Sequence, residues 1–244
     1  MLHLPQSLHL ELHDMPEIIF ENAAVSYEDT LILEPVSLSL REQRIGIIGA
    51  NGGGKSTLIR MINGLGEPSS GRVLVDGLDV SEKGREVRKK VGYVFSDAEN
   101  QIIMPTVRED IAFSLRRQKM PKEEKNKRVD EMLARFNLSD HADQSPHTLS
   151  GGQKQLLALA AVLILEPELI IADEPTTLLD LRNRLLIKEV FGGLEQQLIV
   201  VSHDLDFLSD FERVICINDH KIVADGPAQS SINHYVSLMT ESIR

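Results

Sequence analysis

The sequence predicts a layered α/β fold with a mostly parallel sheet, and three observations carry the prediction. Short, almost unbroken apolar runs recur at residues 44–49, 169–172 and 198–201, as in strands buried on both faces of a parallel sheet. Apolar residues at helical spacing lie between them, for example Leu58, Ile59, Ile62 and Leu65. Strands and helices therefore alternate, with no fixed-period repeat. With 244 residues, 42% hydrophobic and 26% charged, the chain can build a sizeable core in one large domain or two modest ones.

The elements follow in order. Residues 1–17 are mixed in character, contain Pro5 and Pro16, and read as an N-terminal arm. His9 and His13 can share a helix face, but the further ligands of a zinc site are missing. Residues 18–20 and 25–27 are β-prone, and 36–40 alternate apolar and polar, the mark of a strand with one buried face. Residues 44–49 form a buried strand, a Gly-rich turn follows, and 56–65 read as a helix. Further strands are expected at 71–75 and 91–95. Residues 97–165 read as a helical insertion, in which Val129, Leu133 and Phe136 share helical spacing. A hairpin at 214–223 and a helix at 228–242 close the chain, and residues 18–244 read as one domain.

Lys and Arg number 26 against 37 Asp and Glu, a net charge of −11, which argues against sequence-independent binding of nucleic acid. The single cysteine, Cys216, excludes an internal disulfide and fits a reducing compartment. The first residues have no basic segment of the secretory type, and the longest apolar run, residues 156–165, is too short to span a bilayer. The chain is expected in the cytosol, so work at a membrane would need a spanning partner.

The sharpest local signal is Gly49-Ala50-Asn51-Gly52-Gly53-Gly54-Lys55-Ser56-Thr57. It satisfies G-x-x-x-x-G-K-[ST] between a buried strand and a helix, the context that the phosphate-binding loop requires. A loop that turns successive N–H groups toward phosphate needs dihedrals that glycine tolerates best, and the helix adds its positive N-terminal end. Lys55 is expected to reach the β- and γ-phosphates, Ser56 to ligate Mg²⁺ and Thr57 to hold another phosphate oxygen. Residues 169–174 end a buried strand in Asp173-Glu174, at the edge where ligands gather in such sheets. Asp173 is placed to hold Mg²⁺ through water. Glu174 is placed to orient and deprotonate the attacking water.

Leu149-Ser150-Gly151-Gly152-Gln153-Lys154-Gln155 combines a Ser cap, paired glycines and an apolar helix, an anion-binding helix start. It resembles the signature sequence of ABC-type ATPases, and the resemblance covers nearly all of the chain from Ile18. It implies a P-loop NTPase core with a mostly parallel sheet, an N-terminal antiparallel β part and a helical subdomain. It further implies ATP and Mg²⁺ as cofactors and a head-to-tail dimer, expected to be a homodimer. In that dimer Ser150, Gly151, Gly152 and Gln153 face the γ-phosphate held by the other subunit. Tyr27 takes the place of the aromatic that stacks on adenine. Thr177-Leu178-Leu179-Asp180 resembles the loop that touches the opposite subunit, where the family more often has Ser-Ala-Leu-Asp. His203 resembles the histidine that contacts γ-phosphate.

One position departs from the pattern. Ser96 stands where the family has a glutamine that contacts Mg²⁺ and the attacking water, and Gln101 lies downstream. The segment 97–113 resembles the energising ATPases of energy-coupling-factor importers for vitamins and metal ions. That implies transport of a micronutrient, biotin first, then cobalt, nickel or another vitamin. It implies membrane-spanning partner subunits, no nucleic-acid partner, and a peripheral place on the cytoplasmic face of the membrane. The alternatives are a soluble ABC-type ATPase acting on DNA or ribosomes and, given Ser96, a nucleotide-binding module with little catalysis. The loop after Ser96 is expected to meet the membrane partner, so charge reversal at Glu99 or Glu109 should harm transport more than ATP binding.

Overall fold

The computed structural model describes residues 15–28, 30–177 and 179–241. Residues 1–14 of the expected arm, with His9 and His13, lie outside the described residues, as does Leu178. The described residues form two compact units, one of residues 15–93, 168–174 and 196–241, the other of 94–167 and 175–195.

The first unit contains an antiparallel sheet made of β1 (Ile18–Tyr27), β2 (Thr30–Leu40), β4 (Ser70–Val75) and β5 (Leu78–Asp79), in the order β2-β1-β4-β5. Ile18 lies opposite Leu40 on one side and Val75 on the other. The alternation read at 36–40 holds: Val36, Leu38 and Leu40 are buried while Ser37 and Ser39 are exposed. Pro35, which cannot donate to a ladder, falls where the β1–β2 register shifts.

The second sheet runs β10-β9-β3-β8-β7-β6. Its strands are β3 (Arg44–Gly49), β6 (Val91–Val94), β7 (Leu169–Asp173), β8 (Gln197–Val201), β9 (Arg213–Asn218) and β10 (Lys221–Gly226). β3 is parallel to β8 and β9, β7 is parallel to β8, and only the β9–β10 hairpin is antiparallel among the pairings described. Ile45, Ile47, Ile171, Ile199 and Val201 are fully buried. Each such side chain contributes about 1.5–3 kcal/mol by leaving water. The registers Ile47↔Val201 and Ala172↔Val200 bring the carboxyl ends of β3, β7 and β8 to one edge.

Helix α1 (Lys55–Ile62) follows β3 and is shorter than its apolar spacing predicts, because Gly64 takes a φ of 70° just beyond it. Helix α2 (Val80–Lys90) went unread in the sequence. It buries only Val80 and Val87 and bends at Lys83, so it lacks a periodic apolar stripe.

In the second unit, α3 (Val107–Ser114) packs on α4 (Lys122–Arg135) and on α5 (Gly151–Leu163). Val129, Leu133 and Phe136 are buried as their spacing predicts. Asp110 of α3 accepts from the backbone N–H groups of Ile103 (2.8 Å) and Met104 (3.0 Å) and so fixes the turn ahead of its helix. α6 (Leu181–Gly192) belongs to this unit. α7 (Leu205–Leu208) and α8 (Ala228–Glu241) belong to the first. No helix among the described residues is long and apolar enough to cross a membrane.

Candidate nucleotide site

In the first unit the loop from Gly49 to Gly54 leaves the carboxyl end of β3 under tight steric control. Gly49 has a φ of 149°, and a Cβ there would stand 1.8 Å from the carbonyl oxygen of Ile217. Gly54, at φ 103°, is the N-cap of α1 and supplies no side-chain cap. The first N–H groups of α1 are thus left for an anion. Asn51 and Gly52 are exposed at the mouth of the loop, with Ala50, Ser56 and Thr57 half-buried.

Lys55 is 7% exposed. Its Nζ donates to the carbonyls of Gly49 (2.9 Å) and Ala50 (3.0 Å), so the ammonium is folded into the loop. Burial holds its pKa below the usual lysine range, and Glu174 and Asp173 pull the other way. A triphosphate would supply the opposite charge this buried cation can use.

Beside the loop, the Ser56 hydroxyl donates to Oδ1 of Asp173 at 3.0 Å. Asp173, 4% exposed, accepts from the Tyr93 hydroxyl on Oδ2 at 3.0 Å, with the Arg60 guanidinium 3.8 Å from the same oxygen. Burial, reinforced by Asp173, pushes the Tyr93 phenol well above its usual range, so it is a donor at neutral pH. Glu174 sits at φ 53°, a conformation that costs a non-glycine residue of order 1–3 kcal/mol, and its N–H is tied to the carbonyl of Val201 at 2.9 Å. His203 follows β8. Its backbone N–H donates to Glu174 Oε2 (3.3 Å), and its Nε2 lies 3.1 Å from Glu174 Oε1 and 3.0 Å from Asn51 Oδ1. Carboxylate, imidazole and phosphate loop are therefore joined in one cluster. Tyr27, at the end of β1, is 72% exposed, so its ring face is free to stack.

The second unit carries the signature segment. Ser150 caps α5: its hydroxyl accepts from Gln153 N (3.3 Å) while Gln153 Oε1 accepts from Ser150 N (2.9 Å), a reciprocal capping box. Gly152 cannot be replaced without displacement, since a Cβ would stand 2.3 Å from Asn183 Oδ1, whereas a Cβ at Gly151 would make only an ordinary contact with Leu179 Cδ2 at 3.7 Å. Asp180 caps α6 through Asn183 N at 2.8 Å. Ser96 is exposed. Gln101 does not take over its position: its Oε1 accepts from Phe95 N (3.2 Å) and its Nε2 donates to Ala158 O (3.5 Å), closing the loop onto α5. Lys154 of α5 pairs with Glu99 and holds that carboxyl below its usual range.

Sheet, phosphate loop and acid-tipped strand define a phosphate-loop nucleoside triphosphatase of the α/β class, here with a signature helix in the same chain. A family model described as ABC transporter matches residues 33–177, and the chain belongs to that family as an ATP-binding ATPase. It is 48% identical over 214 residues to a putative ABC transporter ATP-binding protein of Deinococcus radiodurans, covering 88% of this chain and 95% of that one. It is 44% identical to the biotin transport ATP-binding protein BioM of Rhizobium etli, with 89% and 97% covered. It is 40% identical to the energy-coupling factor transporter ATP-binding protein EcfA1 of Bacillus subtilis, with 86% and 80% covered. Among solved structures it resembles cbiO1 of Clostridium perfringens, part of the ABC transporter complex cbiONQ, at a TM-score of 0.79 and 31% identity over 93% of this chain and 94% of that one.

Sequence reading missed Tyr93, Arg60 and Asn183. Tyr93 is 80 positions from Asp173, and nothing in its strand marks it as more than an apolar residue.

Proposed function

We propose that the chain is the peripheral ATPase subunit of an energy-coupling-factor type importer, working on the cytoplasmic face of the membrane beneath spanning partner subunits. The observation that carries this reading is one chain holding both the Lys55–Asp173–Glu174–His203 cluster and the capped signature helix. Two copies, arranged head to tail, would each close one phosphate loop with the partner's Ser150–Gln153 segment, bringing Asp180 to the interface. The family names of its relatives support transport over the DNA- or ribosome-directed alternative. The two biotin and energy-coupling-factor relatives favour biotin or another micronutrient as cargo.

The residues fit a magnesium ion. Ser56 Oγ and Asp173 Oδ1 are hard oxygen donors 3.0 Å apart, and Mg²⁺ is ordinarily held by one or two carboxylates, substrate phosphates and several waters. Ser56 and Asp173 would hold the ion, with Ser96 contributing through a water in place of the longer glutamine. The ion would neutralise phosphate charge. Lys55 and the start of α1 would bind the β- and γ-phosphates, and Tyr27 would stack on adenine. Glu174 would take the proton of the attacking water, with His203 holding the carboxylate toward Asn51 and γ-phosphate.

Glu174→Gln tests the assignment. Turnover should fall about a hundred- to ten-thousand-fold, the range of a general base, while ATP still drives dimerisation. Retained turnover would remove Glu174 from this role. Purifying the intact complex and identifying its membrane subunits and cargo tests the transport assignment.

A further inference from the structure

The signature helix is held by a hydrogen-bond chain that runs back to a histidine on the preceding turn. Ser150 N can only donate, so the Gln153 atom 2.9 Å from it is the amide oxygen and the other end of that amide is the NH₂ group. That NH₂ lies 2.9 Å from His141 Nε2, which must therefore present its lone pair. At the far end, the Gln144 atom 3.1 Å from the Asp140 carbonyl must be the nitrogen. Its oxygen then faces His141 Nδ1 at 3.0 Å, so Nδ1 carries the hydrogen. Both ends are backbone groups of fixed polarity, and together they dictate one neutral tautomer of His141.

From this we infer that His141 is a positioning residue for the signature motif, its neutral ring holding Gln153 in the capping box with Ser150. A doubly protonated ring would turn an N–H against the Gln153 NH₂, and the amide could relieve that only by rotating away from Ser150 N. Acidification, which can add a second proton to an imidazole, is therefore the means of testing whether the neutral ring supports the cap. The charged and titratable groups near this turn include His147, which acts electrostatically on Glu99. Arg108 of α3 is paired with Asp130 of α4 (2.5 Å) and lies 3.7 Å from Asp143, and Lys154 of α5 is paired with Glu99. Asp140 enters the chain through its backbone carbonyl. This inference rests on the proposed role of Ser150–Gln153 in closing on a second copy.

The test compares wild type, His141→Gln and His141→Leu, each in a Glu174→Gln background, for ATP-driven dimerisation by light scattering between pH 8 and pH 5.5. Binding of a fluorescent ATP analogue to the monomer is the control. Gln keeps an acceptor toward Gln153 and does not titrate; Leu removes the acceptor. Wild type is expected to lose dimer affinity about two- to tenfold on acidification, the scale of one hydrogen bond. His141→Gln is expected to hold its affinity, and His141→Leu to be weak at every pH, while analogue binding stays the same in all three. An identical acid response in wild type and His141→Gln overturns the inference and leaves the two-copy reading intact, since that response would not come from His141. Absence of ATP-driven dimers at every pH overturns the two-copy reading and this inference with it.

Discussion

Tyr93 donates its hydroxyl hydrogen to Asp173 Oδ2 over 3.0 Å, while Oδ1 of the same carboxylate accepts from Ser56 at 3.0 Å. The buried carboxylate is gripped from behind by Tyr93 and Arg60, and its front oxygen is presented to the phosphate-loop serine. A group held this way does not need to reorganise when an ion arrives.

Tyr93→Phe removes the hydroxyl from this grip and leaves Arg60 in place. The expected result is a rise of about three- to tenfold in the Mg²⁺ concentration needed for half-maximal ATPase, since one hydrogen bond is worth about 0.5–1.5 kcal/mol. Nucleotide affinity in EDTA should be unchanged. A titration of ATPase rate against Mg²⁺, with calorimetry of metal-free nucleotide binding, checks both.

Gly49→Ala places a methyl group 1.8 Å from the Ile217 carbonyl oxygen on a backbone at φ 149°. The loop must open or β9 must shift. ATP binding should fall at least tenfold, and thermal unfolding should occur several degrees lower. Wild-type affinity in this variant would show that the loop is looser than its contacts imply.

Asp110 accepts two backbone N–H groups, and burial raises its pKa against the effect of those bonds. Asp110→Ala leaves the N–H groups of Ile103 and Met104 without their acceptor, a loss of about 1–3 kcal/mol. Urea unfolding should shift accordingly, with α3 and the 103–104 turn gaining hydrogen exchange first.

Cys216 is fully buried on β9, and burial raises its thiol pKa to about 11 from the ordinary 9.0. A raised thiol pKa means that the folded chain prefers the protonated form. The stability this gives is complete below about pH 9 and is lost as pH climbs through about 11. Maleimide at pH 7.5 should therefore label the native protein slowly and the urea-unfolded protein at once. Fast native labelling would mean that β9 opens.

Charge reversal at Glu99 acts on a residue paired with Lys154 of the signature helix. Glu99→Lys sets two ammonium groups side by side and should lower transport by the assembled complex more than ATP binding by the chain. At Glu109, the carboxylate accepts from Thr106 Oγ1 at 2.9 Å and closes the cap of α3, so reversal there should also lower stability. Transport assays beside nucleotide binding and melting curves separate the two effects.

Residues 49–57, 149–155 and 169–174 are legible from the sequence because each keeps its chemistry within one continuous stretch. A glycine-rich turn between strand and helix, a Ser cap three residues before a Gln, and acids ending an apolar run each state a local rule. The buried strands are legible for the same reason, and α2 was not, because its two buried residues make no stripe. The tertiary structure alone decided which distant groups meet. His203 reaches Asn51 across 152 positions and Tyr93 reaches Asp173 across 80. Asn183 closes over Gly152, and Gln101 is drawn into its own loop instead of standing in for the glutamine that Ser96 replaces. Such contacts depend on sheet order and on which neighbour fills a space, and neither leaves a periodic trace in the residues themselves.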